Sequence, residues 1–356
     1  MIPNTLDLYT DYLITSTKYT TATGLAKIFG NTFSHDTITR FLATENLNDK
    51  KLWTFIKPYL RKVEKEGSVI IVDDTIFEKP YTDISEINTY HYDHSKGKSV
   101  IGINAVNLVH ETDGVRLPLS MSIVHKDKIV TEKGKQKRKS SKTKNELFQG
   151  QFLQTIHNEV KFETVLGDIW FGNIKNMQMI TSKGKQFIMP LKTNRQVSLF
   201  DSFNQEKEYV PVKSLELKEG TPIKIWLKGY NTPLLLCKQV FKNKDNSTGV
   251  LYLVASDLTA TYSKVTTTYQ RRWAVETYHR SLKNNTSVCA SPTKTIKTQC
   301  NHIYASVMAF VKLEVIKIKK AVNHYSLKSK LYLKGIRAAF NELNNIKHGV
   351  QLELDF

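Results

Sequence analysis

SVIIVDDTIFEKP, residues 68–80, sets four consecutive apolar, β-branched residues, Val69 to Val72, directly before Asp73-Asp74-Thr75. An uninterrupted apolar run of this kind predicts a central strand covered on both faces, and such a strand ends at a crevice. A second stretch has the same form: FETVLGDIWFGN, residues 162–173, runs a hydrophobic strand into Asp168 and a glycine-containing turn. An aspartate so placed is also an ordinary turn or helix N-cap residue. The segments between them decide what the two ends make together. KSVIGINAVNLVHE (98–111) and GVRLPLSMSIVH (114–125) read as strands and NELFQGQFLQTIHNEV (145–160) as a helix; a helix near Asn173 to Ser182 then leads into the strand KQFIMPLK (185–192). Three strands, a helix, a strand, a helix and a strand predict an α/β fold with aspartate on its first and fourth strands. If those strands are parallel neighbours, Asp74 and Asp168 share one crevice.

A third carboxylate comes from TTYQRRWAVETYHRSLKNN, residues 267–285. Read as one helix, Tyr269, Arg272, Glu276 and Lys283 fall within about 60° of arc, with Ala274, Val275, Tyr278 and Leu282 on the opposite, buried side. The cleft is then offered one carboxylate flanked by two cations and a phenol. That set suits a phosphodiester, because the carboxylate can hold a divalent metal while Arg, Lys and Tyr position phosphate oxygens. Taken alone, Arg272 and Glu276 have the spacing of an ordinary surface ion pair.

With all three motifs in place, the chain resembles the DDE insertion-sequence transposases marked by the Tyr-Arg-Glu-Lys (YREK) signature, over roughly residues 68 to 290. The resemblance implies an RNase H-like catalytic core, a mixed sheet with helices on both faces, interrupted by a β-rich insertion and preceded by a helical domain. It implies that Asp74, Asp168 and Glu276 are the catalytic carboxylates and metal ligands; Asp74 stands immediately before Thr75, with Asp73 as the alternative. Two Mg²⁺ ions per site are implied, with Mn²⁺ able to substitute. Arg272 and Lys283 would grip the phosphates beside the scissile bond and Tyr269 would bond another. The implied activity is binding of terminal inverted repeats, then metal-dependent strand cleavage and strand transfer, cut-and-paste with or without a hairpin end. The implied partners are double-stranded DNA, both repeat ends and target, and a second copy of the chain in the paired-end complex. Two other readings share features with this one: an RNase H-like nuclease that cuts without joining, and a non-catalytic DNA-binding regulator or domesticated transposase.

Composition agrees. Lys+Arg 52 against Asp+Glu 33 leaves a formal net charge of +19, a surplus that points to a polyanion. Nine of these cations lie in HKDKIVTEKGKQKRKSSKTK, residues 125–144, which reads as a solvated loop able to contact DNA. In residues 1–65, read as a helical DNA-binding domain, TATGLAKIFGNTFSHDTITRFLATE has the pattern of a helix-turn-helix, with a turn at Gly30 and Asn31 and a helix capped by Ser34. Its recognition candidates are His35, Asp36, Thr39 and Arg40; an ordinary helical hairpin is the other reading.

Residues 66–195 read as the first part of the core, 196–258 as the β-rich insertion and 259–356 as the second part with C-terminal helices. Within the insertion Ile223, Ile225 and Leu227 share one strand face and Lys224, Trp226 and Lys228 the other, an arrangement for stacking an unpaired base or for packing against a neighbouring strand. His91 and His94 read as loop residues. Cys237, Cys289 and Cys300 are few and widely spaced, which fits reduced thiols, and Cys289, Cys300 and His302 match no compact zinc signature. No stretch approaches the ~20 apolar residues of a membrane span, and the N-terminus shows no secretory signal. The expected location is the cytoplasm of a prokaryotic cell, at the nucleoid.

Overall fold

The computed structural model describes residues 5–17, 19–30, 32–93, 96–132, 134–199, 208–242 and 245–354. Asn31, His94, Lys133 and the parts of the insertion at 200–207 and 243–244 lie outside these. In chain order come α1 (Thr5–Thr15), α2 (Ala22–Ile28), α3 (His35–Thr44), α4 (Asp49–Val63), β1 (Val69–Glu78), β2 (Asn88–Asp93), β3 (Lys98–Thr112) and β4 (Val115–Ile123). They are followed by β5 (Lys128–Glu132), β6 (Lys135–Lys139), α5 (Lys144–His157), β7 (Thr164–Gly167), α6 (Ile174–Ser182) and β8 (Gln186–Leu191). The rest comprises β9 (Gln196–Leu199), β10 (Val210–Pro211), β11 (Ile223–Leu227), β12 (Leu234–Lys242), β13 (Thr248–Ala255), α7 (Tyr262–Gln270), α8 (Trp273–Asn285), α9 (Ile296–Lys320) and α10 (His324–Leu354). The chain divides into two compact units, Asn48–His279 and Met1–Leu47 with Arg280–Phe356, the division falling inside α8.

In the unit Asn48–His279, β1 is the pivot. β3 runs antiparallel along one side of it, from Val69 opposite Glu111 to Glu78 opposite Gly102. β7 runs parallel along the other side, but only from Val69 opposite Thr164 to Val72 opposite Gly167. β4 pairs antiparallel with β3, and β8 pairs parallel with β7. The order β4-β3-β1-β7-β8, with the last three strands parallel, is the RNase H-like core that the element order predicts. β1 does not stop at the aspartates as its apolar run suggests. It continues to Glu78, because Thr75, Ile76 and Phe77 keep their partners on β3. What ends there is the ladder to β7, and the sheet is left notched beside Asp73 and Asp74.

Side chains alternate along a strand, so Asp73 and Asp74 emerge on opposite faces of β1. α8 covers the face of Asp73: buried Tyr278 donates its hydroxyl to Asn107 Oδ1 at 3.2 Å, and Asn107 is the residue opposite Asp73 on β3. α5 lies on the face of Asp74, where its first residue, Lys144, reaches that carboxylate and Gln151 donates to the Val106 carbonyl. The helix is started by a capping box between Thr143 and Glu146.

Sequence patterning gives no hint of β2, a short edge strand that pairs with the first half of β3 while β4 pairs with the second. The insertion strands build no separate sheet. β13 pairs antiparallel with the outer edge of β8, and β12, β11, β9 and β10 follow, carrying the core sheet to eleven strands. The basic run is also more ordered than a solvated loop: β5 and β6 form a hairpin in which Lys137 and Lys139 both meet Glu132.

The unit Met1–Leu47 with Arg280–Phe356 is helical. Tyr9, Leu13, Leu25, Ile38 and Leu42 pack with Ala305, Ala309 and Leu313 of α9 in one core. His302 is built into it, its Nδ1 hydrogen-bonded with Tyr9 Oη at 2.9 Å. Gly30 turns the chain at φ +59° and Ser34 caps α3, as the helix-turn-helix pattern predicts. The C-terminal helix α10 runs 31 residues. Among the described residues no helix is long and apolar enough to cross a membrane.

Tyr278→Phe removes the bond to Asn107 and leaves a buried amide oxygen short of a donor. It should cost about 1–3 kcal/mol, read as a lower denaturation midpoint. An unchanged midpoint would mean that this bond does not hold α8 on the sheet.

Candidate active site

The notch gathers carboxylates. One carboxylate oxygen each of Asp73 and Glu276 and a ring nitrogen of buried His279 lie within 4.8 Å of one another. Asp168 follows β7 directly, one step past the Val72–Gly167 pair, which brings it level with Asp73 across the parallel ladder. Its Oδ1 accepts the N–H groups of Trp170 (2.8 Å) and Phe171 (3.3 Å). The turn role that sequence alone allows is therefore real, and it fixes the carboxylate in place.

Burial pushes the Asp73 carboxyl up to about 7, helped by the negative charges of Asp168, Glu276 and Asp74 and opposed by the Asp74 N–H that Asp73 Oδ1 accepts. Asp168 is also raised, by burial first and by the charge of Asp74, while the N–H groups of Trp170 and Phe171 and the charge of Arg272 draw it back. Asp74 turns the other way. Its Oδ2 accepts from Lys144 Nζ and Asn104 Nδ2, both at 2.7 Å. Sequence reading favours Asp74 with Asp73 as the alternative; in the fold it is Asp73 that lies beside Glu276 under α8, while Asp74 meets Lys144 and Asn104.

The single helical stripe is corrected too. α7 ends at Gln270 and α8 begins at Trp273, with Arg271 and Arg272 in the joint. Arg271 pins that joint, with Nε 2.5 Å from Glu111 Oε2 and its two terminal nitrogens each 2.9 Å from the carbonyls of Gly67 and Glu111. Arg272 is thereby aimed at the cluster, its Nη1 3.4 Å from Glu276 Oε1 and 3.7 Å from Asp73 Oδ2. Tyr269 donates its hydroxyl to the Gly167 carbonyl at 3.3 Å; burial, with the charges of Asp168 and Asp73, holds the phenol protonated, with its pKa pushed up to about 12 against the pull of Arg272. Val275, Tyr278 and Leu282 are buried as expected, whereas Ala274 is only half-buried.

The other residues expected to contact DNA are placed as follows. Lys283 is exposed on α8, about two turns beyond Glu276 and in the other unit, as is Arg40, exposed on α3. Lys224 and Trp226 share the more open face of β11, Trp226 half-buried opposite Ser198. Lys228 follows the strand, its ammonium 5.9 Å from the centroid of the Tyr209 ring. His91 lies on β2, not in a loop, where burial and the nearby charges of Lys126 and Lys144 lower its pKa to about 4.

Asp73, Asp168 and Glu276 offer hard oxygen donors whose mutual repulsion a divalent cation would relieve, and this donor set fits Mg²⁺ or Mn²⁺. His279 adds an imidazole beside them. Its signal was present in the sequence as Glu-x-x-His, which places both side chains on one helix face a turn apart. Asn104, Lys144 and Arg271 carry no such signal, since only the fold brings them near.

The model of a family described as DDE superfamily endonuclease matches residues 4–211, a span that includes Asp73, Asp74 and Asp168 and ends before Glu276. Among solved structures, the chain is similar to a Drosophila P element transposase strand transfer complex at 9% identity and a TM-score of 0.29, with 58% of this chain and 47% of that chain covered. It therefore spans about half the length of that transposase chain. It is also similar to Ciona intestinalis Endonuclease V in complex with a 24mer DNA, at 11% identity and a TM-score of 0.30, with 70% of this chain and 98% of that chain covered. No curated protein sequence matches.

A carboxyl at about 7 in the folded protein against an ordinary 3.8 keeps its proton in the folded state longer than in the unfolded one. Its contribution to stability therefore falls as pH rises from about 4 to 7 and stays lost above that. Without divalent metal, Asp73→Asn should raise the thermal midpoint more at pH 8 than at pH 5. Mg²⁺ should raise the midpoint of the unsubstituted protein at pH 8 and leave Asp73→Asn nearly unmoved. Equal gains from the substitution at both pH values would remove the repulsion from the account.

Proposed function

The chain belongs to the DDE superfamily endonuclease family, and from that premise we propose that it is the transposase of an insertion sequence of the YREK-signature group. It would bind terminal inverted repeats, cut DNA at them and join the freed ends to a target. The observation that carries this reading is the meeting of Asp73 and Glu276 under α8 with Asp168 beside them across the notch.

Asp73, Asp168 and Glu276 would hold the divalent metal, with His279 adjoining. Two bound Mg²⁺ ions would supply activation of water or a 3′-hydroxyl and stabilisation of the leaving oxygen. The chain's own groups do the rest. Arg272, already between Asp73 and Glu276, offers charge-assisted donors to a phosphate that enters the cluster. Tyr269 stays a neutral phenol at neutral pH, so it brings no negative charge to the cluster and its O–H can turn from the Gly167 carbonyl to donate to a phosphate oxygen. Asp74 and Lys144 form an ion pair on the far side of β1 that fixes the strand where Asp73 leaves it. Lys283, Lys224, Trp226 and Lys228 would contact the DNA flanks, and Arg40 on α3 the repeat sequence.

A second copy of the chain is the expected protein partner. Along α10, Leu333, Ile336, Phe340 and Leu343 are all exposed and recur at the three- and four-residue spacing of a coiled-coil seam. Their replacement by Ser should turn a dimer into a monomer in light scattering; a monomeric starting protein would refute the seam.

On DNA carrying the element's own ends, with Mg²⁺, Asp73→Ala, Asp168→Ala and Glu276→Ala should each reduce cleavage to background while DNA binding persists. Asp74→Ala should stay within ~10-fold of the unsubstituted rate, the ~1.4 kcal/mol scale of a positioning contact. A dead Asp74→Ala beside an active Asp73→Ala would reverse the assignment. Cleavage without any joined product would leave a nuclease that does not transpose, and end binding without cleavage a regulator.

A further inference from the structure

Beyond Asp168 the same unit contains a cavity of about 460 Å³, lined among others by Trp170, Asn173, Lys192, Asn194, Arg195 and Lys228. Its walls come from the turn after β7, the turn after β8 and the end of β11, so it opens at the carboxyl ends of the parallel strands β7 and β8, where open α/β sheets place their ligands. Trp170 is 58% exposed even though the Lys192 ammonium sits 5.0 Å from its ring centroid. Arg195 is held by its Nη2, which donates to the Gly172 carbonyl at 3.4 Å, and by the turn in which its N–H bonds the Lys192 carbonyl. Among the described residues three cations and no carboxylate line the cavity. Cations left to face one another in a cleft favour an anion between them, and an open indole favours a flat apolar partner.

A nucleotide supplies both at once. We propose that this cavity takes one unstacked nucleotide of the DNA strand being cut, its base stacked on Trp170 and its flanking phosphates held by Lys192, Arg195 and Lys228. The inference rests on the reading of the neighbouring carboxylates as a DNA-cleaving site. The link between the two is short: Trp170 is two residues past Asp168 and gives it a backbone N–H at 2.8 Å. Two residues span at most ~7 Å, about two steps of a strand at ~3.4 Å each. The captured base therefore lies within a few nucleotides of the scissile phosphate. Trp226, the stacking candidate from sequence, is half-buried in the extended sheet and less open than Trp170.

The test uses the full chain and a labelled oligothymidylate of about twelve nucleotides, within the ~4–16 nucleotide range of such sites. Trp170→Ala should weaken binding by ~5- to 150-fold, the loss of one base–aromatic stack, and Trp170→Phe should recover most of it. Lys192→Ala and Arg195→Ala should each flatten the dependence of log affinity on log salt by ~0.7. A 5-iodouracil placed in the oligonucleotide should photocrosslink to Trp170. Binding by Trp170→Ala within twofold of the unsubstituted chain, or a crosslink confined to Trp226 or another residue, overturns the proposal. Mg²⁺-dependent plasmid nicking, run in parallel, separates the two readings. If Asp73→Ala nicks as well as the unsubstituted chain, the cleavage reading falls whatever the oligonucleotide shows. If nicking depends on Asp73 while oligonucleotide binding ignores Trp170, only the cavity assignment falls.

Discussion

The site depends on one mismatch of strand length. β1 stays paired with β3 through Glu78, whereas its parallel neighbour β7 gives out at Gly167, opposite Val72. Had β7 continued, Asp73 would face a filled ladder and Asp168 would lie inside a strand with its backbone committed to pairing. Because β7 stops, Asp168 can spend its Oδ1 on the N–H groups of its own turn, and the gap beside β1 is wide enough for α8 to bring Glu276 and His279 over Asp73. The apolar runs on either side matter for the same reason. Val69 to Val72 and Thr164 to Gly167 are wholly buried, so the carboxylates are carried on rigid, close-packed strands.

Burying like charges together is unfavourable, and the protein meets that cost unevenly. On the Asp74 face a lysine and an asparagine amide stabilise the charge directly. On the Asp73 face Arg272 stands 3.4–3.7 Å from two carboxylates and Asp73 keeps its proton to about pH 7. A chain with a formal charge of +19 has no shortage of cations to neutralise the cluster. Arg271 is instead spent on Glu111 and two carbonyls to hold the joint between α7 and α8. The cluster is kept short of positive charge while its geometry is secured, the condition under which a divalent cation gains most from entering.

Much of the fold could be read from sequence because its core strands are long, apolar and separated by evident turns. Reading alone could not choose between Asp73 and Asp74. A period of two says that they face opposite ways, but the phase is set by which helix covers which face, and that depends on Tyr278 meeting Asn107 across 171 residues. The break at Arg271 and Arg272 was hidden for a similar reason: the sequence there is compatible with continuous helix, and the kink is imposed by tertiary bonds from Arg271. β2 lacks an apolar run because only its first residues are buried. The insertion was recognisable as β-rich but not as an extension of the core sheet, since edge-to-edge pairing leaves no mark on side-chain alternation. Of the site residues that the sequence reading missed, His279 alone had a usable signal, its spacing from Glu276.

The extension also explains why a basic cavity can exist so close to the carboxylates. An RNase H-like sheet that ended at β8 would expose that strand's edge, a template for unwanted pairing. β13 covers it from Ile188 to Leu191, and beyond it β12 and β11 lead to β9, the strand that follows the turn after β8, where the Lys228 N–H at the end of β11 bonds the Gln196 carbonyl. That return places Lys228 across from Lys192 and Trp170. Closing the edge and building the cavity are therefore one structural event, and the acidic notch and the basic pocket adjoin because the notch uses the ends of β1 and β7 and the pocket the ends of β7 and β8. A polyanion lying along those ends would meet attraction at one place and, absent a metal, repulsion at the other, which fixes the direction in which a strand can be laid across the site.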